Sequence, residues 1–238
     1  MHEWELFAEE AKKMGLLADE KCLHSLQQFT KELLRVNAVM NITAITQLED
    51  IVSKHYLDSL SPLITGHFSE GAKVMDVGSG GGFPGVVLKI ARNDLKMTFL
   101  DSQKKRITFL EDTGQLLGLS GCEYLHKRAE DGGKDEKLRE SFDIAVSRAV
   151  ATLPVLCEWC LPYVRVGGKF IAMKGPEPKE EVERAKAAIS LLGGRLLDIK
   201  ETVFWNETIR HSLIVIEKVE KTNKNYPRAY KKMMSSPL

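Results

Sequence analysis

The chain holds only four cysteines in 238 residues, too few and too scattered for a disulfide framework. Cys157 and Cys160 form a lone C-x-x-C. No second pair and no histidine at zinc spacing accompanies it, so two cysteines on a helix face are favoured over a metal or redox site. No apolar run approaches the roughly 18 residues that a membrane span requires. The N-terminus, Met1-His2-Glu3-Trp4-Glu5, lacks the basic and apolar regions of a secretory signal. A cytoplasmic protein with no membrane partner is therefore expected. Net charge is also scarce, 34 basic against 33 acidic residues, so any ligand preference must lie in local clusters.

Glycine is plentiful in one place. Residues 73–85 read KVMDVGSGGGFPG, with Gly78, Gly80, Gly81, Gly82 and Gly85 crowded behind the apolar run Val74, Met75, Val77. Each glycine inside a helix or strand would cost roughly 0.5–1 kcal/mol relative to alanine, so the cluster belongs in a turn. The apolar run ahead of it reads as a buried strand, and residues 86–91 behind it as a helix with Pro84 in its first turn. Strand, glycine turn and helix make the first half of a nucleotide-binding βαβ unit, and Gly80, Gly82 and Gly85 satisfy G-x-G-x-x-G. Asp76 at the strand end would crowd a pyrophosphate but suits a ligand with a cationic amino-acid end, such as S-adenosyl-L-methionine. Asp101 ends the next strand candidate, 21 residues after Gly80, where an acid takes ribose hydroxyls. That acid serves either cofactor, so S-adenosylmethionine is favoured while NAD stays open.

The rest of the chain is read in order. Residues 3–36 give amphipathic helices, with Gly15 ending the first and Asp19 capping the second. Residues 37–46 are turn-rich, and 48–60 form a further helix bearing His55, Asp58 and Ser59. No strained elbow carries Ser59, which argues against a hydrolase triad. Helix and strand then alternate: a helix at 103–117, strands at 122–126, 142–147 and 169–173, and helices at 153–161 and 178–192. A charged, solvated stretch is expected at 134–140 and a turn at Gly167-Gly168. Two last strands, near 196–204 and 212–219, pair as a hairpin. The pattern predicts an α/β fold: a mostly parallel, doubly wound seven-stranded sheet with an antiparallel last strand, plus an N-terminal helical extension. The expected divisions are a cap at 1–60, a core at 61–219 and a basic tail at 220–238. That tail interleaves Tyr226 and Tyr230 with basic residues, a pattern suited to nucleic acid as well as to a solvated terminus.

Ligands of such sheets sit at the carboxyl ends of the strands. Asp76, Gly78 to Phe83, Asp101, Arg128, Ala129, Glu130, Ser147, Arg148 and Lys174 fall there. This set is basic and poor in general bases, and no cysteine lies at a strand end to attack a pyrimidine. Ser147-Arg148-Ala149-Val150 also lacks the Asn/Asp-Pro-Pro-aromatic run expected of an amino-methylating enzyme. Methyl transfer to an atom that needs no deprotonation remains. Guanine N7 fits, with arginine suited to hold the base and orientation doing the catalytic work.

DVGSGGGFPG, LDSQKKRITFL (100–110), HKRAED (126–131), SRAVA (147–151) and AMKG (172–175), with MNITAI (40–45) and KHYLDSL (54–60) upstream, resemble the RsmG family, also called GidB. The resemblance runs from about residue 20 to 219. It implies a class I, Rossmann-like methyltransferase that uses S-adenosylmethionine to methylate N7 of one guanine in 16S rRNA near the decoding region. By position it places Asp76, Gly78, Gly80, Phe83, Asp101, Ala129, Glu130 and Arg148 at the cofactor. Arg148 and Lys174 are implied at the reaction, and Lys105, Arg106, Arg128 and Lys174 toward RNA. The implied partner is 16S rRNA or the small ribosomal subunit; a monomer without a metal is expected. Asn41, His55 and Asp58 receive no role from it. The rival readings are a nicotinamide-dependent oxidoreductase, a small-molecule methyltransferase and a non-enzymatic RNA-binding assembly protein.

Overall fold

The computed structural model describes residues 2–148, 151–205 and 207–238. Ala149 and Val150 of the SRAVA run lie outside the described residues. Helix α1 (His2–Lys13) buries Phe7 and Ala11, one turn apart on the same face. Helix α2 (Glu20–Met40) starts at Asp19, whose carboxylate accepts from the Cys22 backbone N–H. It buries Leu26, Phe29 and Leu33. The sequence predicts turns from residue 37, but α2 runs on to Met40. Asn37 remains helical because its side-chain oxygen accepts the Thr43 N–H at 2.8 Å, closing the chain reversal that follows. Asn41 then ends the helix in the left-handed conformation, φ 48°.

Next comes one continuous helical stretch with three kinds of turn: α3 (Leu48–Asp50), a π-helical segment (Ile51–Leu57) and α4 (Asp58–Leu60), before a 3₁₀ turn at Ser61–Thr65. Periodicity shows the helix here but not the π-widening, which recurs at functional sites.

The sheet follows: β1 (Lys73–Val77), α5 (Gly85–Ala91), β2 (Lys96–Asp101), α6 (Lys104–Leu116), β3 (Cys122–His126), α7 (Ala129–Gly132), β4 (Phe142–Arg148), α8 (Leu153–Cys160), β5 (Val164–Lys174), α9 (Lys179–Leu191), β6 (Gly194–Phe204) and β7 (Ile209–Lys218). The strand order is 3-2-1-4-5-7-6, with β7 antiparallel to both neighbours. Since no helix separates β6 from β7, they can only pair as a hairpin, and the reversal follows. Gly167 and Gly168 do not end a strand. They carry β5 through a register shift against β4, with Gly167 at φ +86°. One face of the sheet packs on α1, α2, the π-segment, α5 and α6; the other packs on α8 and α9 and holds Cys157 and Cys160, both fully buried free thiols. No helix among the described residues is long and apolar enough to cross a membrane.

The C-terminal residues are docked on the core. Arg139, from the stretch expected to be solvated, donates to the carbonyls of Gly133, Thr222, Asn223 and Tyr226 at 2.7–3.2 Å. Lys218 is buried and donates to the Leu161 carbonyl and the Thr222 hydroxyl at 2.6 Å, and burial pushes its pKa down to about 8. Arg228 clamps the buried Glu158 through its side chain and backbone N–H at 2.6–3.1 Å. The last helix, α10 (Tyr230–Ser235), buries Met233. Lys221, Lys224, Lys231 and Lys232 remain exposed.

Gly85 sets how closely α5 approaches the sheet. A Cβ there would overlap Asp76 Oδ2 and lie 2.6 Å from Phe99 Cε1. Gly85→Ala is expected to destabilise the protein by about 1–3 kcal/mol, read from urea unfolding. An unchanged midpoint would contradict this packing.

Candidate active site

The glycine loop leaves β1 and is tied down from below. Gly78 N–H and Ser79 N–H donate to the Leu100 carbonyl at 2.8 and 3.1 Å, and the Ser79 hydroxyl donates to the Asp76 carbonyl at 2.9 Å. Gly85 N–H donates to Asp76 Oδ2 at 3.1 Å. Asp76 is thus fully buried beneath the loop and lines neither of the two cavities that flank it. Its other carboxylate oxygen has no partner among the described residues, and burial pushes its pKa up to about 7. Asp101 ties the loop to the end of β2, accepting from Gly80 N–H at 3.0 Å, Gln103 N–H at 2.8 Å and Arg106 at 3.4 Å.

Two cavities flank this loop and meet at Gly78 and Arg106. The smaller, about 410 Å³, lies over the ends of β1, β2 and β3 between Asp101, Ala129 and Glu130 on one side and Trp159 and Tyr230 on the other. The larger, about 750 Å³, is floored by Gly78 to Gly81 and Phe83, roofed by the cap at Thr43 and His55, and closed by the β6–β7 hairpin at Arg210 and His211. Arg148 and Lys174, at the ends of β4 and β5, also face it. The sheet therefore brings Gly78, Gly80, Phe83, Arg106, Arg148 and Lys174 together around one cavity. Asp101, Arg128, Ala129 and Glu130 gather around the other. Lys105 lies apart, exposed beside the end of α2. The Lys174 ammonium is already committed, to Glu181 at 2.7 Å and the Ala151 carbonyl at 2.9 Å.

Arg148 is the best-connected charge in the site. Its guanidinium donates to the Lys54 carbonyl and Asp58 Oδ2, both at 3.1 Å, and to His55 Nδ1 at 3.0 Å. It lies over the Phe83 ring at 5.0 Å, a ring that also stacks on His55 at 4.2 Å. His55 is buried, and that burial with the Arg148 cation lowers its pKa to about 4, so the ring is neutral. A neutral ring that accepts at Nδ1 carries its proton on Nε2, which donates to Thr43 Oγ1 at 2.9 Å. Asp58 spends its other oxygen on His211 Nδ1 at 2.7 Å. One hydrogen-bonded network thus joins the cap, β4 and the last hairpin.

Sequence reasoning left His55 and Asp58 without a role and did not select His211, Thr43 or Trp159. The only signal for His211 is its position just before the apolar run of the last strand. Tyr230 stood out only as a tail aromatic.

A glycine loop leaving β1, an acid ending β2 and an antiparallel β7 define the class I methyltransferase fold. An O-methyltransferase from Bacillus cereus in complex with SAH shares this fold, at TM-score 0.55 and 18% identity over 80% of this chain and 91% of that one. An O-methyltransferase from Thermotoga maritima matches at TM-score 0.54 and 17% identity, covering 80% and 72% of the two chains. Within that class, residues 22–213 match the model of the GidB family, rRNA small subunit methyltransferase G, and the chain belongs to this family. Ribosomal RNA small subunit methyltransferase G from Alkaliphilus metalliredigens is 45% identical over 91% of both chains. Its namesake from Clostridium perfringens is 40% identical over the whole length of both.

The neutrality of His55 can be tested. Between pH 6.5 and about 4 the unfolded chain takes up a proton that folded His55 refuses. Its contribution to stability is complete above pH 6.5 and is lost as pH falls toward 4. His55→Gln, which can keep both hydrogen bonds, is expected to lose less stability than wild type across that window, by up to about 3 kcal/mol in denaturant titrations. Parallel pH profiles would refute the neutral ring.

Proposed function

We propose that this protein methylates N7 of one guanine in 16S rRNA, near the decoding region, with S-adenosylmethionine as donor. Membership of the family supports action on small-subunit rRNA. The observation that carries the N7 reading is the state of the larger cavity, whose candidate bases are almost all engaged. His55 is hydrogen-bonded at both nitrogens and Asp58 at both oxygens, and only His211 Nε2 has no partner among the described residues. Guanine N7 offers an in-plane lone pair and loses no proton, so it needs nothing more.

The residues present fit the donor. At Gly80 a Cβ would meet only the Gly78 carbonyl oxygen, at 3.8 Å, so main chain alone lines the cavity there. Asp101 and Glu130 bring buried carboxylates to the smaller cavity, acceptors for hydroxyl or ammonium groups. When bound, the donor supplies a methyl group activated on a sulfonium. Gly78, the junction of the two cavities, would hold that centre between donor and acceptor. Arg148 carries a charge already balanced by Asp58, His55 is neutral, and Arg106 at the junction is paired with Asp101 at 3.4 Å. Arg148 then has Phe83 behind it and its planar fork at the cavity, where it orients the guanine edge. Arg106 and Arg128 offer cations beside the cavities to RNA phosphates, Lys105 a further one beside the end of α2, with Lys174 at the far rim.

In this reading residues 1–60 cap the acceptor side, 61–219 carry the donor and 220–238 close the donor side. The enzyme is cytoplasmic and works without a metal, because the reaction asks for neither Lewis acid nor base. It works as a monomer.

Recovery of the modified base from rRNA of a strain lacking the protein, after incubation with purified enzyme and donor, tests the function. N7-methylguanosine at one 16S position is expected; methylation at another atom would overturn the reading. Arg148→Ala is expected to lower turnover about a hundredfold through misorientation while remaining folded, because Asp58 keeps His211 as its partner. Wild-type turnover would remove Arg148 from the site. His211→Gln is expected to stay within about tenfold of wild type, whereas loss of a true general base would cost roughly 10²–10⁴-fold.

A further inference from the structure

The smaller cavity has a wall that the methyltransferase sheet does not supply. Tyr230 opens α10, and its ring is near-parallel to that of Trp159, at 8° with centroids 6.4 Å apart. The Arg128 guanidinium lies 5.3 Å from the centroid of the same Tyr230 ring. Both aromatics line the cavity that also holds Asp101 and Glu130. Trp159 Nε1 is buried with no hydrogen-bond partner among the described residues.

The placement of Tyr230 follows from the docked tail. Arg228 grips Glu158, the neighbour of Trp159 on α8, so the clamp two residues before Tyr230 sets that ring against its partner. Met233 is fully buried one turn further on, and Arg139 fixes the carbonyls at 222–226 upstream. A merely solvated terminus has no use for so many fixed contacts.

We infer that the C-terminal segment is part of the donor site, with Tyr230 and Trp159 forming an aromatic wall that holds the purine nucleoside end of the cofactor. This rests on the reading that the smaller cavity takes S-adenosylmethionine. The chemistry suits it: a flat purine is recognised by aromatic faces, and a carboxylate beside them accepts from its ribose. The tail's aromatic residue thereby serves the donor and not the RNA, while the exposed Lys231 and Lys232 stay available for phosphate.

The test uses the full-length protein and its Tyr230→Ala and Tyr230→Phe variants. Calorimetry with S-adenosylmethionine and with S-adenosylhomocysteine is paired with KM values for both substrates. Tyr230 is 41% exposed, so its removal opens no core cavity. Tyr230→Ala is expected to weaken both nucleosides roughly tenfold, as loss of a stacking face does. It should raise KM for the donor and leave both the KM for RNA and kcat at saturating donor in place, with Tyr230→Phe close to wild type. Unchanged donor affinity in Tyr230→Ala overturns the wall alone, as does a loss confined to RNA. A wild-type protein that binds neither nucleoside overturns the wall and the donor reading together.

Discussion

The contact between Arg148 and Asp58 joins the parts of this molecule that must act together. Arg148 belongs to β4 of the sheet and Asp58 to the cap helix, and His211, on the other oxygen of Asp58, belongs to the final hairpin. Asp58 and Arg148 are largely shielded from water, so an unpaired charge on either would be costly. Pairing removes that cost and leaves these two groups with no net charge between them. Neutrality matters because the donor brings its own positive charge. The π-widened turn serves the same end, as the Lys54 carbonyl accepts from Arg148 within it.

A second constraint works from below. Asp76, Ser79 and Asp101 bind the glycine loop to the ends of β1 and β2 before any ligand arrives. Gly80 and Gly82 hold positive φ angles of 55° and 94°, and Gly85 lies too close to Asp76 for a side chain. The loop is therefore preorganised. Binding spends little on ordering it, and the two cavities keep a fixed relation across Gly78.

Much of this was legible in the sequence because it is local. The glycine cluster, Asp19 at a helix start and the unbroken run into the last hairpin each act over a few residues. What was hidden depends on partners far along the chain. Asn37 extends α2 through a bond to Thr43, and Gly167-Gly168 bends β5 only because β4 lies beside it. His211 joins Asp58 across 153 positions, and Arg139 meets the tail across more than 80. Basic residues in the tail read as a surface pattern. Two of them, Lys218 and Arg228, are held in place by Glu140 and Glu158 and by nearby oxygens, which charge spacing alone does not reveal.

The most direct measurement is a double-mutant cycle on methyl transfer to small-subunit rRNA with Arg148→Met, Asp58→Asn and the pair. If Asp58 acts by holding Arg148, the double variant is no slower than Arg148→Met alone, a strong departure from additivity. Independent, multiplying losses would contradict the claim that the cap works through this one guanidinium.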